Sequence, residues 1–126
     1  MKNIFLLIVF VNTTLLFSCS SLKNVTNENV DGYYSAKVKK HGFTSLYTLV
    51  LNKDNTFSFN IKVHGGNPKC NGIWKIIDNN LLLECEEVDV YEALTSGYMS
   101  KRENIMHVIN KNKLKYNDII LKRRSE

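Results

Sequence analysis

Cysteine and histidine have the widest chemical reach in this chain. Cys70 stands six residues after His64, across the loop Gly65-Gly66-Asn67-Pro68. A thiol within hydrogen-bond reach of an imidazole can act as a nucleophile when a third group orients the base. No signature of such a site surrounds Cys70, so no catalytic residue is assigned and an enzyme is not expected. Soft donors suited to copper(I) are present as His41, His64, Cys70, Met99, Met106 and His107. None stands at a recognised ligand spacing, and Met106 falls in an apolar run that reads as core. No metal and no cofactor is expected. Cys70 and Cys85 form an even pair, and such pairs tend to bridge in an oxidising compartment. Two buried thiols, or one reactive Cys70, stay open beside the bridge.

Cys19 points to a different chemistry. It closes the run Leu15-Leu16-Phe17-Ser18-Cys19, behind an apolar stretch over 4–11 that follows Lys2. The apolar part falls short of the roughly 20 residues a membrane-spanning helix needs. This arrangement resembles a bacterial lipoprotein signal peptide with its lipobox. The resemblance implies that Leu16 fits the pocket of the processing enzymes and that small Ser18 exposes the scissile bond. The Cys19 thiol then becomes a thioether to diacylglycerol. An ordinary secretory signal with a chance cysteine is the alternative.

The same resemblance implies three segments. Residues 1–18 are a signal peptide that is removed, 19–29 a lipidated flexible tether, and 30–126 a β-barrel-like domain. The tether reading also rests on composition, because Ser, Asn, Thr and Lys dominate 20–29 and large apolar side chains are scarce. Ser20 rather than Asp follows the cysteine, which by the Gram-negative sorting pattern implies the outer membrane, periplasmic side. Exposure on the cell surface stays open.

The elements that must position these residues are strands. Thr56-Phe57-Ser58-Phe59-Asn60-Ile61-Lys62-Val63-His64 alternates with period two. Phe57, Phe59, Ile61 and Val63 take one face, as in a half-buried strand. A β-rich run over 47–51 precedes it, joined by the turn Asn52-Lys53-Asp54-Asn55. A second hairpin runs over 73–77 and 81–85. With Asn79 and Asn80 as its two-residue loop, Ile76 faces Leu83, Lys75 faces Glu84 and Trp74 faces Cys85. Strands are also expected over 31–38, 105–109, 113–116 and 119–123. Over 86–104, a continuing strand and a short helix both stay open.

These elements predict an all-β fold. It is an antiparallel meander of seven or eight short strands, closed as a small lipocalin-like barrel or left as a strongly curved sheet. Closure would remove the unpaired edges. The start Gly32-Tyr33-Tyr34 resembles the small lipocalin-like β-barrel lipoproteins of Gram-negative envelopes. So do Leu49-x-Leu51-x-x-Asp54-x-Thr56-Phe57, Gly72-x-Trp74, Leu81-x-Leu83 and Leu121-Lys122-Arg123. The copper-resistance and envelope-stress member of that group carries a Cys-x-x-Cys pair. This chain has no counterpart, so that member's metal role does not carry over.

Tyr47, Phe57, Phe59 and Trp74 could line a small ligand pocket; core packing is the other use of aromatic residues in so small a domain. The formal charge is +5. Lys111, Lys113 and Lys115, with Lys122, Arg123 and Arg124, form a basic run opposed by Glu84, Glu86, Glu87, Asp89 and Glu92. These runs read as solvated surface or as a dipolar docking face. No nucleic-acid motif is visible. The expected role is a non-catalytic binding or interaction module. Its partners are the membrane, through the lipid on Cys19, and an envelope protein or small apolar ligand. A structural or accessory envelope lipoprotein, or a metal-binding envelope protein, is the alternative.

Overall fold

The computed structural model describes residues 30–125. Cys19, the signal segment and the tether lie outside the described residues. Eight antiparallel strands follow one another in order: β1 (Gly32–Lys40), β2 (Phe43–Leu51), β3 (Thr56–Lys62), β4 (Lys69–Ile77), β5 (Asn80–Cys85), β6 (Glu103–Asn110), β7 (Lys113–Tyr116) and β8 (Ile119–Arg124). Each pairs with its sequence neighbour, and β8 returns to β1 through Tyr33↔Arg124, Tyr34↔Arg123 and Ser35↔Lys122. The sheet is therefore a closed barrel, and the expected meander is realised with eight strands. One short helix, α1 (Val90–Thr95), interrupts the crossover between β5 and β6.

Residues that tolerate a left-handed backbone make the tight connections. His41 (φ 52°) and Gly42 (φ 80°) link β1 to β2; Asp78 (φ 47°) and Asn79 (φ 64°) link β4 to β5. Positive φ at both central positions gives the turn whose twist matches that of paired strands. The β4–β5 loop is thus Asp78-Asn79, not Asn79-Asn80, and this corrects the expected register. Trp74 faces Leu83, Ile76 faces Leu81, and Cys85 faces Gly72. The difference is two positions, so every side chain keeps its face. Lys75 and Glu84 still meet, now diagonally, at 3.0 Å.

The inward positions fill the barrel. Tyr34, Leu49, Phe59, Trp74, Leu81, Leu83, Met106, Leu114 and Leu121 are almost wholly buried. An eight-stranded barrel has an interior just wide enough for side chains to fill. At the near end, where β1 begins, Val30 is fully buried. The Tyr34 hydroxyl lies 2.7 Å from the Val30 carbonyl and accepts a hydrogen bond from Arg123 at 2.8 Å. Trp74 Nε1 donates to the Asn52 carbonyl in the β2–β3 turn at 3.0 Å. The far end lies at the opposite end of the strands and carries the β5–β6 crossover.

Candidate functional site

The crossover over 86–102 is clamped to the barrel at both of its ends. At its start, Cys85 is bonded to Cys70 across a Cα–Cα distance of 5.5 Å. The revised register makes this geometry available, because it sets Gly72 rather than Trp74 opposite Cys85. A Cβ on Gly72 would lie 1.8 Å from the Glu84 carbonyl oxygen, so the strands meet here only because that position is glycine. At its end, Lys69 N–H donates to the Gly97 carbonyl, and Met99 N–H to the Lys69 carbonyl at 2.9 Å. The Tyr98 hydroxyl donates to the Asn71 carbonyl at 3.0 Å. Within the crossover itself, Arg102 pairs with Glu87 at 2.7 Å.

Between these clamps stands α1. Asp89 caps it by accepting from the Glu92 N–H at 2.7 Å. A six-residue helix is too short to be stable through its own hydrogen bonds. Normally such a helix is held by burying an apolar face, yet no residue of α1 is buried. Val90, Tyr91 and Leu94 are 76%, 78% and 80% exposed. The fold thus holds Val90, Tyr91 and Leu94 out to solvent on a fixed frame.

The structure does not bring the other sequence candidates together as a reaction centre. Cys70 is buried and disulfide-bonded, whereas His64 is exposed with its ring 4.9 Å from that of Phe43. His41 occupies the β1–β2 turn, and His107 lies outward on β6 beside Asn80. Met106 is fully buried and Met99 packs at the core margin. Among the described residues, no three His, Cys, Asp or Glu side chains gather as a metal set.

Of the two uses open to the aromatic quartet, the fold realises core packing. Phe57, Phe59 and Trp74 are at most 3% exposed and fill the barrel rather than lining a pocket. Tyr47 packs against that core, 6.4 Å from the Tyr116 ring. Their strands alternate inward, so opposite walls meet at these rings. A surface depression of about 510 Å³ lies instead at the far end, lined by Phe43, Leu46, Lys62, Val63 and His64.

No family model, curated protein or solved structure matches the chain. The geometry therefore carries the functional reading.

A polar amide also sits inside the barrel. Asn104 is 1% exposed, and its Oδ1 accepts from the Tyr116 hydroxyl at 3.1 Å. The Phe59 ring meets Tyr116 edge-on at 5.2 Å. Burial, and then the neighbouring Tyr47, raise the Tyr116 pKa above its ordinary value. This pair reads as a satisfied core contact beneath the crossover.

Sequence reasoning missed the α1 cluster. Two signals for it were present: Asp89-x-x-Glu92 is a helix start, and Val90, Tyr91 and Leu94 follow helical spacing.

Proposed function

We propose that this protein is an outer-membrane-anchored, periplasm-facing lipoprotein and a non-catalytic interaction module of the envelope. The barrel is the rigid body, and α1 is the part offered to a protein partner. The exposed Val90-Tyr91-Leu94 cluster carries this reading, because the barrel core is complete without it. The lipobox-like run ending at Cys19 supports the anchor. The small lipocalin-like lipoproteins, which the sequence elements resemble, supply the family expectation.

Co-purification from crosslinked envelopes tests the role. Wild-type protein is expected to bring down a defined partner that the Val90→Asp/Leu94→Asp variant loses. The variant should keep the wild-type thermal midpoint, because neither side chain is buried. Equal recovery of the partner by both proteins would refute the role of α1. Globomycin treatment and Cys19→Ala test the anchor separately: both should block processing, and unchanged processing in both would refute it.

A further inference from the structure

The outward side chains of β7, β8 and β1 form a wall of cations. Lys113 and Lys115 stand on β7, Lys122 and Arg124 on β8, and Lys37 and Lys39 on β1, all exposed. None of the three strands contains a carboxylate. The register sets Lys113 directly opposite Lys122. Like charges directly opposite on a sheet destabilise it, so the fold itself gains nothing from this arrangement. An anionic partner would reverse the sign.

Two further observations select the kind of anion. Ile120, 44% exposed, is paired with Lys115, and Tyr33 is paired with Arg124. Long cationic side chains around isolated apolar groups suit a headgroup layer: ammonium groups meet phosphates while the stems and Ile120 reach the acyl boundary. The described chain also begins beside this wall, since β1 starts at Gly32 and pairs with β8. Residues 20–29 can span at most about 35 Å when extended, so a lipid on Cys19 would hold the wall within reach of the bilayer.

We infer that the β7–β8–β1 wall docks on an anionic phospholipid surface. Lys113, Lys115, Lys122 and Arg124 meet headgroup phosphates there. Docking rests on the proposed anchor to bring the barrel to a membrane. In an eight-stranded ring, β4 lies across from β8. The crossover is tied to β4 at Lys69 and Asn71. A docked barrel would therefore turn the crossover away from the bilayer.

The test uses residues 20–126, which keep the whole barrel and its core. Co-sedimentation with phosphatidylglycerol vesicles should show binding that fades as salt rises, with none to phosphatidylcholine. Lys113→Gln/Lys122→Gln should weaken binding at least about tenfold, with a thermal midpoint equal to or above wild type. Lys53→Gln/Lys101→Gln removes the same charge elsewhere and should leave binding unchanged. Equal losses in the two variants would overturn the wall as the docking face. So would equal binding to both lipids, or retention by double-stranded DNA without binding to phosphatidylglycerol. Palmitate labelling of the full chain in cells separates the two proposals. A labelled chain whose barrel ignores phosphatidylglycerol refutes docking alone; an unlabelled chain whose barrel binds it refutes the anchor alone.

Discussion

Gly72 shows how much one residue decides here. Its missing side chain lets β5 cross close enough for Cys85 to reach Cys70. Gly72→Ala is expected to cost about 3 kcal/mol or more, because the obstructing atom is backbone and cannot step aside. Urea unfolding of both proteins measures it. Tyr116 makes a second residue-scale prediction. Burial raises its pKa and that of Tyr34, although the Arg123 guanidinium acts against the shift at Tyr34. Each phenol therefore keeps its proton longer in the folded state than in the unfolded state. Their stabilising contribution is complete below the unfolded value, near 10, and is lost as pH rises through the folded values. Tyr116→Phe should cost about 1 kcal/mol at neutral pH, by leaving Asn104 Oδ1 without its donor. The same variant should lose less stability above pH 10 than wild type. Thermal midpoints across an alkaline series read both effects, and parallel curves would contradict the assignment. Cys70 and Cys85 were legible as a candidate bridge, but the role of Gly72 beside them was not. The close approach at that position depends on the register, which sequence left in the wrong frame.

Among the elements, strands were the most legible. Phe57, Phe59, Ile61 and Val63 recur every second residue, and burial enforces that period wherever one face meets a core. The β4–β5 loop was less legible because Asp78, Asn79 and Asn80 all tolerate the left-handed backbone. Either frame keeps the apolar side chains inside, so hydrophobic pattern cannot choose between them. The crossover was least legible, since its helix buries nothing and its hold on the barrel runs through backbone bonds at Lys69 and the Tyr98–Asn71 pair. The disulfide belongs to this scale. It closes a sequence separation of 15 residues, which the chain-entropy estimate values at about 3 kcal/mol. Cys70→Ser/Cys85→Ser should lower unfolding stability by about that amount. Reductant should bring wild type to the same level and leave the variant unmoved. Hydrogen exchange should accelerate first over 86–102 when the bridge is open.

For the molecule as a whole, closure organises everything else. Pairing of β8 with β1 removes the free edges and leaves a filled interior. The outside of the barrel and its ends are the surfaces left to meet a partner. The apolar cluster of α1 rides on the crossover at β4, and the cationic wall lies on the opposite strands. The α1 helix left a local signal in the sequence but its exposure did not, and the wall depends on which strands become neighbours in the closed ring. The basic run was visible in the chain, but Lys111 falls in the β6–β7 turn while Lys113 and Lys115 join the wall. The central claim is that α1 meets a protein partner in the envelope. A photo-crosslinking side chain placed at Tyr91 of the full-length protein tests it most directly in intact cells, with the same group at Ser58 on the outer face of β3 as the reference. The account predicts a discrete crosslinked species at Tyr91 that disappears with Leu94→Asp and is absent at Ser58. No crosslinked species at Tyr91, or the same species at both positions, would contradict it.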